Sequence, residues 1–164
     1  MNKDIILKDL KLIIEKYEQV KKSNQIKKYS EEETKKDFIL PLFEILGWNV
    51  FDRNEVSAEE HIASSGRVDY GFYINGRIKF YLEAKSLKED LNREDYAKQA
   101  IKYSFNKGVT WAILTDFESI KVFNAQAIFK YLGDKLYFEI SYDKYIDRLD
   151  QLLQLSKNSF EKDL

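Results

Sequence analysis

Cysteine is absent from the 164-residue sequence, which excludes a disulfide framework and a thiolate metal site. Histidine occurs once, and His61 has neither a second histidine nor a nucleophile pattern beside it, so it is interpreted as a surface residue. A basic excess is also lacking, because the formal net charge is −1. Free-standing DNA-binding proteins usually carry such an excess. A protein of this charge that acts on DNA is expected to bind weakly alone or to be delivered by another domain.

Long apolar runs are missing as well. No stretch approaches the ~20 residues of a membrane span, and the acid-containing N-terminus does not resemble a signal peptide. These absences predict a soluble, cytoplasmic protein without a membrane partner. With no low-complexity tract or separating linker, the chain is predicted to form one domain over 1–164. Its parts are an N-terminal helix and connector (1–27), a core (28–127) and a C-terminal extension with a helix (128–164).

Hydrophobic spacing predicts helices over 3–22, 30–46, 93–106 and 142–160, and strands over 48–51, 67–74, 78–85, 109–116 and 120–124. Ser30 and Glu33 form a predicted capping box, Pro41 should kink or divide its helix, and Asn92 is expected to cap the third helix. His61 falls in a predicted polar loop. Residues 128–140 are ambiguous, with 136–140 a candidate strand. This order predicts an α/β (α+β) fold, a small mixed β-sheet flanked by helices.

The hairpin over 67–85 carries the strongest geometric prediction. A plain two-residue turn at Asn75-Gly76 would mix apolar and charged side chains on each face. A three-residue loop with a bulge instead makes one face wholly apolar, by pairing Ile74 with Ile78, Phe72 with Phe80 and Tyr70 with Leu82. The other face then receives the pairs Tyr73–Lys79, Gly71–Tyr81, Asp69–Glu83 and Arg67–Lys85.

Two acids opposite each other repel and destabilise a sheet. A hard divalent cation, Mg²⁺ above all, would relieve that repulsion between Asp69 and Glu83. Lys85 adds positive charge on the same face, and Gly71 is expected to leave room for a ligand. The alternative interpretation of these residues is a solvated polar face on an edge hairpin.

Asp69, followed after thirteen residues by Glu83-Ala84-Lys85, resembles the PD-(D/E)XK nuclease superfamily. The likeness extends over residues 28–160. It is greatest to the nuclease domains at the N-terminus of type I restriction R subunits and of fused restriction–modification enzymes. Five segments in order carry it: EEETKKDFILPLFEILGWNV (31–50), RVDYGF (67–72), YLEAKS (81–86), QAIKYSFNKGVTWAILTD (99–116) and LDQLLQLSKNSF (149–160). Val68 departs from the proline that names the superfamily.

The resemblance implies a restriction-endonuclease-like core and a role for several residues. Asp69, Glu83 and the Ala84 carbonyl would bind Mg²⁺, with Mn²⁺ able to substitute. Lys85 would orient or activate the attacking water and stabilise charge on the phosphate. Gln99 and Tyr103 match a glutamine and a tyrosine that some members carry on the helix after the core strands. They would contact phosphate or position the lysine and the water; the alternative is an ordinary surface glutamine and a half-buried tyrosine.

The resemblance also calls for an acid on the preceding helix, and residues 31–33 are all glutamate. A helical wheel places Glu31 over the apolar stripe that contains Phe38 and Leu42, whereas Glu33 lies on the polar side and serves the capping box. Glu31 is therefore the predicted site residue, acting through a water or a second ion. The alternative is that Glu31 only complements the helix dipole.

Together these features predict a Mg²⁺-dependent endonuclease domain that hydrolyses phosphodiester bonds of double-stranded DNA. Covalently linked methyltransferase, specificity or motor domains are expected partners in the natural protein. Since one site cuts one strand, a transient homodimer on DNA is expected too. Two alternatives stay open: a catalytically inactive nuclease-fold module for nucleic-acid binding or protein assembly, and a protein-interaction domain docking through 3–22 and 142–160, which predicts no Mg²⁺ binding.

Overall fold

The computed structural model describes residues 2–62, 66–128 and 132–162. Six strands form one sheet in chain order: β1 Val56–Ile62, β2 Gly66–Ile74, β3 Arg77–Ala84, β4 Trp111–Thr115, β5 Ser119–Asn124 and β6 Leu136–Ser141. The α-helices are α1 Lys3–Lys22, α2 Glu31–Thr34, α3 Leu40–Ile45, α4 Glu94–Asn106, α5 Leu149–Leu152 and α6 Lys157–Lys162. Only β3 and β4 run parallel, and α4 connects them. The predicted mixed sheet flanked by helices is confirmed.

The two faces of the sheet have different partners. One face packs against α1, α3 and the C-terminal helices in the large core, where the Phe72 and Phe80 rings stack at 4.4 Å between centroids and Trp48 meets both edge-on. The other face carries α4 over a smaller cluster that includes Ala112 and Leu114. Because side chains alternate along a strand, Tyr81 and Glu83 of β3 face away from the large core, which holds Phe80, Leu82 and Ala84. None of the described helices is long and apolar enough to cross a membrane.

The helix after Ser30 is interrupted as Pro41 predicts. The capping box of Ser30 and Glu33 starts α2, a π-helical turn spans Lys35–Ile39, and α3 follows with Pro41 in its first turn. Proline has no N–H to offer the carbonyl four residues earlier, and the Lys16 ammonium donates to that Asp37 carbonyl at 3.0 Å instead.

The hairpin keeps the predicted register around the core, but its bulge lies elsewhere. Tyr70 pairs with Leu82 and Phe72 with Phe80, as predicted. The turn is the two-residue type, with positive φ at Asn75 and Gly76, and Ile74 pairs with Arg77 rather than Ile78. The register shifts between Phe72 and Tyr73, which leaves Lys79 as the extra residue of β3, so the predicted Tyr73–Lys79 pair was wrong. The bulge keeps Tyr70, Leu82, Phe72 and Phe80 on the core face, but it moves Ile78 to the opposite face, against the cluster that contains Tyr81 and Tyr103.

Three other predictions were wrong. Residues 48–51 form turns, because Trp48 is apolar to fill the core rather than to alternate in a sheet. The edge strand β1 instead covers the predicted polar loop and contains His61. Asn92 does not cap α4, because the N-cap residue is Arg93. The Asn92 side chain instead accepts a hydrogen bond from the Lys121 ammonium.

The predicted helix over 142–160 is divided. It consists of a 3₁₀ turn at Tyr142–Lys144, then α5, a second 3₁₀ turn at Leu153–Leu155, and α6. Ser156 is extended, and its hydroxyl accepts from the Ser159 N–H, which starts α6 in a new direction. The strand predicted over 136–140 is β6, while 129–131 of the ambiguous region lies outside the described residues.

Candidate active site

The candidate site lies where β2 and β3 separate. Their backbone ladder extends from Ile74↔Arg77 to Tyr70↔Leu82. At the next position the Asp69 carboxylate replaces a backbone carbonyl of β2 as the acceptor. Its Oδ2 accepts a hydrogen bond of 2.7 Å from the Ala84 N–H. The chain after β3 stays with β4, because the Lys85 N–H donates to the Thr115 carbonyl at 3.0 Å. Asp69 and Glu83 thus come together as predicted, at the end of the ladder rather than inside it.

Glu83 is buried without full hydrogen bonding. Its side chain is 7% exposed, its Oε1 lies 3.7 Å from the Lys85 ammonium, and its Oε2 has no hydrogen-bond partner among the residues that the structure describes. The pKa of Glu83 is raised to about 9. Burial is the largest cause, and the charge of the neighbouring Asp69 is the second. A pKa above neutral favours the protonated carboxyl at pH 7, and a hydrogen bond with Asp69 contributes to the shift. A carboxyl kept neutral beside a second acid is a common sign of a functional site.

Lys35 is part of the site and was not predicted. Its ammonium lies 2.7 Å from Asp69 Oδ1, 3.1 Å from Glu32 and 3.4 Å from Glu31, and its side chain is 8% exposed. Burial by itself would lower the pKa of Lys35, but the hydrogen bond and charge of Asp69 outweigh burial and hold the pKa above its usual value. A signal was present in the sequence: Lys35 stands at helical spacing in the apolar stripe with Phe38 and Leu42.

Glu31 reaches the site through Lys35. Its half-exposed carboxylate contacts the Lys35 ammonium one turn along the helix, and its charge contributes to the raised pKa of Glu83. Glu32, which the helical wheel did not select, contacts the same ammonium. The structure therefore places Glu31 at the rim of the acid pair, bound to Asp69 indirectly.

Lys85 is held by an aromatic ring that was also missed. Its ammonium lies 4.3 Å from the ring centroid of Tyr96 on α4, a cation–π contact. The Tyr96 hydroxyl donates to Glu89 at 2.9 Å and accepts from Arg93 at 3.2 Å, which fixes the ring. No motif or spacing in the sequence connects Tyr96 with Lys85, because their contact depends on how α4 packs on the sheet.

Neither Gln99 nor Tyr103 makes a described contact with the acid pair. Gln99 is exposed on α4. Tyr103 is fully buried, with its ring edge-on to Tyr81 at 4.8 Å and its hydroxyl without a hydrogen-bond partner. Burial raises the pKa of Tyr103 to about 12, assisted by Tyr81 and Glu60. Tyr81 precedes Glu83 on the same face of β3, so Tyr103 supports the strand beneath the site.

Gly71 serves a different purpose from the one predicted. A Cβ at this position would lie 2.9 Å from the Tyr73 ring and 3.1 Å from Glu60 Oε1. The Tyr73 hydroxyl donates to the same Glu60 oxygen at 2.7 Å. The space over Gly71 is therefore filled by the protein itself and not left for a ligand.

The acid pair fits part of a divalent-cation site. Among the residues that the structure describes, no three acidic or histidine side chains come close enough to bind a metal on their own. The pair still offers hard oxygen ligands, and Glu83 Oε2 has no hydrogen bond. The Asp69 charge also disfavours ionisation of Glu83, an effect that a bound cation would offset. Mg²⁺ commonly takes only one or two protein carboxylates and completes its shell with water and phosphate oxygens.

Fold and site together define a mixed α+β protein with a buried carboxyl pair where two strands separate. The chain is 29% identical over 128 residues to the type II restriction enzyme and methyltransferase RM.Eco57I of Escherichia coli. The match covers 70% of this chain but only 13% of that protein, so the chain spans a small part of its relative's length. No family model matches the sequence, and no solved structure matches it. The similarity relates the chain to restriction–modification systems.

Proposed function

We propose that the chain is a single Mg²⁺-dependent DNA endonuclease domain of the PD-(D/E)XK type, the cleavage domain of a restriction–modification enzyme. The observation that carries the proposal is the buried pair of Asp69 and Glu83, with an unpaired oxygen on Glu83 and the Lys85 ammonium beside it. Burying Glu83 beside Asp69 does not stabilise the fold, since the carboxyl loses its hydration and one of its oxygens is left without a hydrogen bond. A site for a cation and a phosphate accounts for their position.

Asp69, Glu83 and the Ala84 carbonyl would hold the ion. Bound there, Mg²⁺ or Mn²⁺ would supply Lewis-acid stabilisation of the phosphoryl oxygen and a lowered pKa for a water molecule. The Glu83 proton must leave before its carboxylate can serve as a ligand. Lys85, held between Glu83 and the Tyr96 ring, would stabilise charge developing on the phosphate and orient the attacking water.

The remaining predicted residues receive lesser roles. Glu31 would act through a bridging water, because it faces the pair across Lys35. Gln99 is exposed and free to approach the DNA backbone. Tyr103 is a positioning residue that holds Tyr81, and through it the strand that carries Glu83.

Delivery to double-stranded DNA would depend on other domains. The net charge of −1 gives little general attraction to phosphate, and the relative is by name both a restriction enzyme and a methyltransferase. Linked methyltransferase, specificity or motor domains would therefore bring this domain to its target. A transient homodimer would provide the second active site for double-strand cleavage.

Nicking of supercoiled plasmid with Mg²⁺, and with EDTA as the blank, tests this function. Asp69→Asn and Lys85→Ala should each lower the nicking rate about 100-fold or more, the usual loss when a group that stabilises the transition state is removed. Lys88→Ala is the matched control for Lys85, because Lys88 is exposed three residues further on. Normal metal-dependent nicking by either site variant, with folding verified by circular dichroism, would refute the assignment.

One observation favours the inactive nuclease-fold module as a second candidate. The described residues bring two acids rather than three into contact, and Lys35 already pairs with one of them. Such a module would bind DNA or a partner domain without cleaving. Absence of nicking by the wild-type domain across a full Mg²⁺ and Mn²⁺ titration, with DNA binding retained, would support it.

A further inference from the structure

Lys35 is an unusual residue for the position it holds. It is nearly fully buried on the apolar stripe of its helix, yet its ammonium is in contact with three acids. The shortest contact, 2.7 Å, is to Asp69, the acid that begins the nuclease-like motif. Burying a lysine costs a large desolvation free energy. The ion pair with Asp69 is therefore a buried contact and not the neutralisation of a surface charge.

The oxygens of the acid pair are unequally occupied. Asp69 Oδ1 binds Lys35, and Asp69 Oδ2 accepts from the Ala84 N–H. Glu83 Oε2 has no partner. A divalent ion shared by the two carboxyls would find the free oxygen on Glu83, but on Asp69 it would meet the Lys35 ammonium.

Two cations at one carboxylate repel each other strongly in a buried site, even at the effective dielectric constant of about 20 that suits such pairs. Lys35 has somewhere to move. Glu32 is 81% exposed and already lies 3.1 Å from the ammonium, and Glu31 offers a second oxygen at 3.4 Å. A small rotation of the flexible lysine side chain would keep its charge paired while releasing Asp69 Oδ1.

From this geometry we infer that Lys35 is the internal counter-ion of Asp69 in the metal-free protein, competes with the divalent ion for that carboxylate, and withdraws toward Glu31 and Glu32 when the ion binds. The inference rests on the metal site of the proposed function. It adds a residue that lowers the affinity for the metal ion and stabilises the folded protein around the acid pair when no metal is bound.

The test is calorimetric titration of Mg²⁺ at pH 9 into the wild type, Lys35→Met and Lys36→Met, without DNA. Lys35→Met should bind Mg²⁺ at least about tenfold more tightly, because a competing positive charge has gone. Lys36 is exposed on the adjoining position of the helix, and its variant should bind as the wild type does. Without metal, Lys35→Met should melt at a lower temperature, and Mg²⁺ should raise its melting temperature more than that of the wild type.

Equal or weaker Mg²⁺ binding by Lys35→Met, with the wild type binding normally, overturns the inference and leaves the proposed function intact. A lysine that merely supports the site would give that weaker binding. Absence of Mg²⁺ binding in all three proteins overturns both.

A measurement on the wild type keeps the inference testable if Lys35→Met does not fold. Lysine side chains labelled with ¹³C and ¹⁵N report the environment of each ammonium by NMR. Mg²⁺ should shift the Lys35 signal as its contact with Asp69 is lost, while the Lys36 signal stays in place. A Lys35 signal unchanged at saturating Mg²⁺ would overturn the inference.

Discussion

Two buried acids at the ends of neighbouring parallel strands differ in their proposed roles. Glu83 is the penultimate residue of β3, and Asp116 directly follows β4. Both are almost inaccessible to solvent. Burial raises the pKa of both carboxyls, to about 9 for Glu83 and about 7 for Asp116. Neither burial nor pKa therefore separates the acid proposed to bind a metal from the structural acid.

Their hydrogen-bond partners do separate them. Asp116 accepts from the Ser119 N–H at 2.9 Å, and the backbone of this turn lowers its pKa against the effect of burial. The same turn holds the buried Phe117 at φ +75, a conformation that bulky residues rarely adopt. Asp116 thus has a structural task, whereas Glu83 faces another acid with an oxygen unpaired. Only the second arrangement calls for a cation.

The largest effect that could break this comparison is on catalysis. Glu83→Gln keeps the size of the side chain but removes the charge that would bind metal, so plasmid nicking should fall about 100-fold or more. Asp116→Asn makes the same change at the structural acid and should keep nicking within about fivefold of the wild type. Initial rates at saturating Mg²⁺ measure both. An equal loss in the two variants would mean that hydrogen bonding does not distinguish the acids.

The second effect is on stability, and it concerns Asp116. A carboxyl whose folded pKa is raised stabilises the fold fully below its unfolded pKa, and that contribution is lost as the pH rises through the folded pKa. For Asp116 the window runs from about 3.8 to about 7. The free energy of unfolding of Asp116→Asn, relative to the wild type, should therefore rise by on the order of 4 kcal/mol between pH 4 and pH 8.

Urea denaturation at several pH values measures that change. Above about pH 8 the difference between Asp116→Asn and the wild type should stay constant, because the folded carboxyl is then fully ionised. A difference that does not vary between pH 4 and pH 8 would show that Asp116 is ionised throughout, and the contrast with Glu83 would have to be restated.

Sequence reasoning found the acid pair because hydrophobic alternation fixes which residues share a face. The apolar pairs Tyr70–Leu82 and Phe72–Phe80 leave Asp69 and Glu83 no other place. Alternation does not say where an extra residue is inserted, so the bulge at Lys79 was assigned to the loop. It also does not say where two strands separate, which here depends on the Asp69 carboxylate replacing a backbone acceptor.

Residues that reach the site from helices were harder to predict. Lys35 was passed over because lysine in an apolar stripe is usually interpreted as an exposed residue, although its buried ammonium is neutralised by three acids. Tyr96 has no local signal at all. The strand β1 was missed for a related reason: its edge position leaves Ala58, Glu59 and His61 exposed, so burial does not alternate along it.

A third effect, the number of protons released when Mg²⁺ binds, also distinguishes Glu83 from Asp116. Since Glu83 holds a proton at pH 7.5 and must lose it to bind an ion, Mg²⁺ binding should release about one proton. Mg²⁺ affinity should accordingly rise by up to about tenfold per pH unit toward pH 9 and then level off. Calorimetry in buffers of different ionisation enthalpy counts the protons. Release should persist in Asp116→Asn and vanish in Glu83→Gln. Proton release that persists in Glu83→Gln would place the titrating group elsewhere.

The smallest effect concerns the lysine beside the proposed metal-binding acid, since the structural acid Asp116 needs no such neighbour. The Lys85 ammonium lies over the Tyr96 ring, a contact of about 1 kcal/mol when partly buried. Tyr96→Leu should therefore lower nicking roughly fivefold, the rate equivalent of that energy. Tyr96→Phe keeps the ring but loses the hydroxyl bonds to Glu89 and Arg93, and should remain within about twofold. If the phenylalanine variant is as slow as the leucine variant, the hydroxyl network rather than the ring positions Lys85, and Glu89 becomes the residue that links α4 to the acid pair.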